Sequence, residues 1–163
     1  MRPSGQEAAH LRVAAAGPDG DLHPRPARRA TGRPLSRWYL DTSAALKLVV
    51  EEPESDALAR AIDREQADLV SCWLLETELR RAAQREEALN QGIITGLLDG
   101  IGLYEVPASL FREAGLLPGA GLRSLDALHL AAAVRIGVDH VVTYDARMTD
   151  SARELGLGVL APA

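Results

Sequence analysis

Four acidic side chains stand where a chain of this pattern would gather them: Asp41, Glu78, Asp126 and Asp145. Asp41 ends a short apolar run that starts at Trp38, and two hydroxyl residues, Thr42 and Ser43, follow it. Asp145 follows a second apolar run, Val141-Val-Thr-Tyr144. Carboxylates brought together repel, and their pKa values rise unless positive charge is supplied. A set of oxygen ligands with no Cys or His suits Mg²⁺ or Mn²⁺. Such an ion polarises a phosphoryl oxygen and lowers the pKa of a bound water, so the chemistry implied is phosphodiester hydrolysis.

Taken singly, three of the acids have ordinary explanations. Asp41 and Asp145 stand where Asp caps a helix N-terminus, and Asp126 lies just inside the helix opened by Ser124, where the dipole favours negative charge. Glu78 is different. At 100° per residue, Leu74, Leu75, Leu79, Ala82 and Ala83 span one half-turn of its helix, and Glu78 falls within that arc. It should point inward, with Arg81 and Arg85 only at the border of the face. A buried carboxylate needs a partner, and a bound cation would provide one. Glu76, four residues before Arg80, reads as an exposed i,i+4 ion pair.

The elements that must position these residues alternate between strand and helix. Strands are predicted at residues 37–40, 68–72, 103–106, 141–144 and 158–160. Helices are predicted at 43–50, 54–66, 74–89, 91–101, 109–116, 124–136 and 146–155. The helix at 124–136 is apolar almost all round, as for a helix in the middle of a domain. This alternation implies a three-layer α/β/α domain with a central parallel sheet of four to five strands. Binding residues of such sheets sit beyond the carboxyl ends of the strands, which directs Asp41 and Asp145 to one edge.

With 163 residues, 47% of them hydrophobic, the chain suits one globular domain. Residues 1–36 hold six Arg against three acids and five of the nine prolines, with no aromatic residue. That segment is expected to be a disordered extension, a solvated arm before it is an RNA-gripping tail. The remaining 127 residues carry twelve basic against twenty acidic groups, a balance that argues against simple phosphate neutralisation as the mode of action. Cys72 is alone, so no internal disulfide framework exists. No apolar run approaches the length of a membrane span, and a cytoplasmic location is expected.

Four stretches carry a resemblance. Tyr39-Leu-Asp-Thr-Ser-Ala-Ala-Leu46, Leu75-Glu-Thr-Glu-Leu79, Arg123-Ser-Leu-Asp-Ala-Leu-His-Leu-Ala131 and Val142-Thr-Tyr-Asp145 resemble, in order and spacing, the motifs of PIN-domain ribonucleases of the VapC toxin type. The resemblance covers residues 37–163 and has no counterpart for 1–36. It implies a Mg²⁺- or Mn²⁺-dependent endoribonuclease, the toxin of a toxin–antitoxin pair, with RNA as substrate, a cognate antitoxin as partner and a homodimeric state. It places Asp41, Glu78, Asp126 and Asp145 on the family's acidic positions. Asp41 and Asp126 would chiefly hold the metal, and Glu78 and Asp145 would complete the shell directly or through waters.

Around these acids, Ser43 and Thr143 are candidates to orient carboxylates or water. Arg123, Arg147 and Lys47 lie close enough in sequence to hold RNA phosphates, with simple solvation favoured for Lys47. His129 is expected to be a packed, hydrogen-bonded core residue and not a ligand or base. Cys72 is expected in the core, and Trp38 and Trp73 in packing or subunit contacts. A haloacid-dehalogenase-type phosphatase would carry a second Asp where Ser43 stands, and a phospho-receiver would place its Asp on a central strand and not the first. A catalytically silent PIN-like module that binds RNA or protein is the remaining alternative.

Overall fold

A computed structural model describes residues 35–163; the expectation for the preceding segment lies outside them. Five strands form one parallel sheet: β1 (Arg37–Leu40), β2 (Asp68–Cys72), β3 (Gly102–Tyr104), β4 (His140–Val142) and β5 (Gly158–Leu160), in the order β3-β2-β1-β4-β5. The helices are α1 (Thr42–Leu46), α2 (Ser55–Glu65), α3 (Leu74–Ala82), α4 (Gln91–Leu98), α5 (Ala108–Gly115), α6 (Ser124–Ile136) and α7 (Ala146–Glu154). β1 is central because both of its neighbours are long-range partners: Tyr39 pairs with Val70 on one side and with Val141 on the other.

The period of two in the strands divides the interior into two cores. Trp38, Leu40, Leu69 and Val142 face a layer built from α1 to α4, packing with Leu58, Leu75, Leu79 and Ile94. Tyr39, Val70, Cys72 and Val141 face the other side, where α5, α6 and α7 contribute Leu110, Leu130 and Met148. Successive strand residues point to opposite faces, so a sheet covered on both sides needs apolar residues at consecutive positions. The three-layer α/β/α architecture expected from the alternation is the one observed.

Several helices are shorter than their patterns predict. α1 gives way to a turn after Leu46, and α3 ends at Ala82, where 74–89 was expected to be helical. Residues 84–88 are exposed and have favourable helix formers but no apolar face to bury, and packing supplies most helical stability in a protein. α6 matches its prediction: residues 127–133 are all buried, and the helix closes on Gly137 in the left-handed region at φ 70°, a conformation Gly adopts without a Cβ penalty.

Candidate active site

Asp41 is the first residue beyond β1, and its backbone N–H still reaches Val142 O at 3.3 Å. It caps α1 as expected, Oδ1 accepting from the Ala44 N–H at 2.8 Å. Capping accounts for only part of its bonding. Ser43 Oγ donates to both carboxylate oxygens at 2.8 and 2.9 Å, and Thr143 Oγ1 donates to Oδ2 at 2.7 Å. The two hydroxyls are themselves fixed, Ser43 Oγ accepting from the Tyr144 N–H and Thr143 Oγ1 from the Asp145 N–H. Asp41 is only 5% exposed, and burial pushes its pKa up, opposed by the Ala44 N–H and the two hydroxyls.

Glu78 is half-buried on α3, directed inward as its helical phase requires. Its Oε2 accepts from Thr42 Oγ1 at 2.6 Å and from His129 Nε2 at 2.7 Å. Burial raises its pKa, but the His129 hydrogen bond and charge, with Thr42, outweigh this and hold it below the usual carboxylate range. His129, on α6, is 2% exposed, and its other nitrogen lies 2.8 Å from the Tyr39 hydroxyl. Burial alone would lower the imidazole pKa; the Cys72 sulfur and the Glu78 carboxylate more than reverse that and hold it at about 10. The same ring favours ionisation of Asp41 and of Asp126. One cationic side chain is thus shared by three of the four acids.

Asp126 lies in the first turn of α6. Its Oδ2 is buried without any hydrogen-bond partner. Burial raises its pKa, and the charge of Asp145 raises it further. Asp145 caps α7, Oδ1 accepting from the N–H groups of Arg147 and Met148 at 2.8 and 2.9 Å. All three capping or dipole readings of the aspartates hold locally, yet a cap worth about 1 kcal/mol does not require a carboxylate oxygen to be desolvated beside a like charge. Among the described residues no group of three or more His, Cys, Asp or Glu is already gathered so that it could hold a metal ion. The donor chemistry nevertheless fits a hard cation. Mg²⁺ is usually held by one or two carboxylates plus waters and substrate phosphates, not by a closed protein cage.

The PIN domain family matches residues 38–154. The chain belongs to the PIN-domain family. It is 44% identical over 133 residues to Ribonuclease VapC46 of Mycobacterium tuberculosis, covering 79% of this chain and 100% of that protein. The fold is shared with Mycobacterium tuberculosis VapC20, a Sarcin-Ricin loop cleaving toxin, at TM-score 0.58 and 14% identity over 70% of this chain and 94% of that one. It is also shared with VapBC2 from Rickettsia felis bound to a DNA fragment from their promoter, at TM-score 0.57 and 13% identity over 78% and 99%.

Within this PIN domain two expectations need correction. Glu78 does not lack a protein partner: His129 supplies a cationic donor from another element, 51 residues away, which helical phase on α3 alone could not reveal. The available signal was the one polar residue in an otherwise apolar stretch of α6, one turn after Asp126. Lys47, for which simple solvation was favoured, is instead ion-paired and its side chain is largely buried. It is paired with Glu52 and, at 2.7 Å, with Glu54, and it lies 4.7 Å from the centre of the Tyr144 ring. Arg123 and Arg147 are exposed, and the Arg123 charge favours ionisation of Asp126. Trp38 is buried in the core and Trp73 is 45% exposed.

Proposed function

We propose that this PIN domain is a divalent-metal-dependent endoribonuclease and the toxin of a toxin–antitoxin pair. The observation that carries the reading is Asp126 Oδ2, a buried and unpartnered carboxylate oxygen kept beside the charge of Asp145. Asp126, with Asp41 and Asp145 at the same edge of the sheet, would hold Mg²⁺ or Mn²⁺. When bound, the ion supplies a Lewis acid for the phosphoryl oxygen and a lowered pKa for water. Ser43 and Thr143 fix the carboxylate plane of Asp41, so its orientation needs no adjustment as substrate arrives. Glu78 is ionised, and the oxygen not engaged by Thr42 and His129 is available to accept from a water. Arg123 and Arg147, both exposed, would grip the RNA backbone and position it without reading sequence.

A silent binding module has no use for an unpartnered buried carboxylate oxygen, which costs stability and contributes no contact. An antitoxin protein is the proposed partner, on the analogy of the Rickettsia felis VapBC2 assembly. A second copy of the chain and a cytoplasmic location are proposed on the family resemblance. No helix among the described residues is long and apolar enough to cross a membrane. Incubation of the purified protein with end-labelled total RNA, with Mn²⁺ and with EDTA, tests the activity. Discrete cleavage products are expected with Mn²⁺ only. Equal cleavage in EDTA, or none with Mn²⁺, would overturn the proposal.

A further inference from the structure

We propose that His129 is a positioning residue of this site, holding one oxygen of Glu78 from inside the domain while Tyr39 holds the imidazole ring. The inference rests on the ribonuclease reading and adds a residue to it.

The ring has no freedom left. His129 is 2% exposed, Nε2 lies 2.7 Å from Glu78 Oε2, and Nδ1 lies 2.8 Å from the Tyr39 hydroxyl. An ionised carboxylate only accepts, so Nε2 carries a proton and donates it to Glu78. Tyr39 comes from the central strand and is fully buried, with its hydroxyl also 3.2 Å from Cys72 Sγ. The chain of contacts therefore runs from the rigid middle of the sheet, through His129, to a carboxylate at its rim. The ring edges also meet, with the Tyr39 and His129 centroids 5.7 Å apart at an interplanar angle of 75°.

A histidine that served only the core would satisfy its nitrogens on backbone carbonyls or neighbouring hydroxyls. Here the surrounding positions of α6 are Ala and Leu, which bury apolar surface without needing a partner, and the single polar residue spends its outward nitrogen on a site acid. Thr42 Oγ1 bonds the same oxygen, so two donors from two elements hold Oε2. Oε1 is left as the oxygen that can meet water or substrate. A glutamate has three rotatable side-chain bonds, and holding one of its oxygens in advance removes ordering that would otherwise accompany the reaction. Partners of this kind typically contribute 10- to 100-fold in activity or affinity.

The two amide replacements separate the ring's two contacts. The His129→Gln side chain can place its NH₂ near the position of Nε2 and keep the bond to Glu78, whereas His129→Asn is too short to reach it. His129→Asn is expected to lower kcat by about tenfold or more with the RNA KM within about twofold, and His129→Gln to stay within about threefold of wild type. In a Glu78→Gln background His129→Asn should cost nothing more. Without metal, the pKa of Glu78, followed by carboxyl ¹³C shifts, should rise in both variants, since each loses the imidazolium charge, and should rise further in His129→Asn, which also loses the hydrogen bond. If His129→Asn does not fold, Tyr39→Phe, which frees the ring but keeps its packing, should lower kcat in the wild-type background and not in Glu78→Gln. Loss of kcat that tracks only the melting temperature, or an inactive Glu78→Gln beside a fully active His129→Asn, overturns the inference alone. An active Glu78→Gln overturns the role of Glu78 and the inference with it.

Discussion

Asp41 and Asp126 are both site carboxylates with pKa values pushed above the ordinary range, and burial is the largest cause for each. Their surroundings differ in one respect. Both oxygens of Asp41 are taken up by Ser43, Thr143 and the Ala44 N–H, whereas Asp126 Oδ2 has no partner and the charge of Asp145 opposes the ionisation of its carboxyl. One carboxylate has been fixed by the fold and the other left for something that the fold does not supply. The difference separates two jobs that are often described together: setting the geometry of a site and providing its affinity for a cation.

The largest effect tests whether both jobs are needed. Asp41→Asn and Asp126→Asn should each lower RNA cleavage by about two orders of magnitude or more, the scale of losing a major electrostatic contributor. Initial rates on one labelled RNA with Mn²⁺ check this. Wild-type rates in Asp126→Asn would leave that residue a helix-end charge and nothing else.

Stability should then divide the pair. Thr143 is fully buried, and Thr143→Val leaves Asp41 one donor short inside the protein, which should cost about 1–3 kcal/mol in urea unfolding. No cost at all would mean that Asp41 is not held as the hydrogen bonds indicate.

A third measurement uses the cation that both carboxylates feel. His129 is raised from the usual 6.5 to about 10 in the native state, so the native protein keeps a proton that the unfolded chain loses. The stability it contributes is fully present below about pH 6.5 and is lost as pH rises toward 10, with a slope of at most about 1.4 kcal/mol per pH unit. His129→Gln should flatten that limb of the stability profile. An unchanged slope would remove the shared cation from the comparison.

The smallest effect is a sign. Without metal, Asp126→Asn should leave the melting temperature unchanged or raise it, because it removes an unpartnered charge next to Asp145, and it should shrink the upward shift produced by Mn²⁺. A pure dipole role for Asp126 foresees the reverse, a loss of roughly 0.3–1 kcal/mol.

The alternation of strands and helices was legible because each strand is apolar at consecutive positions and each helix repeats its apolar residues near every third or fourth. The inward phase of Glu78 was legible for the same reason. What faces Glu78 was not, since His129 reaches it only after α6 has packed on the sheet. The over-long reading of α3 has a local cause as well: Gln84, Arg85, Glu86 and Glu87 are all compatible with a helix, and only the absence of anything to pack against stops it. Lys47 was misplaced because the carboxylates of Glu52 and Glu54 return to it across a turn that sequence spacing does not describe.

The hydrogen bond between Thr143 and Asp41 joins residues 102 positions apart, and the strands they directly follow, β4 and β1, are adjacent in the sheet. Contacts of such long sequence separation form late in folding, because the intervening chain must be ordered or looped before they are rewarded. During synthesis, β1 leaves the ribosome long before its partner β4 has been made. A nascent chain therefore carries Asp41, and later Glu78, with no assembled pocket around them until β4 has been added. The sheet order acts as a timer: the arrangement of acids comes into existence only after β4 has been made and has joined β1.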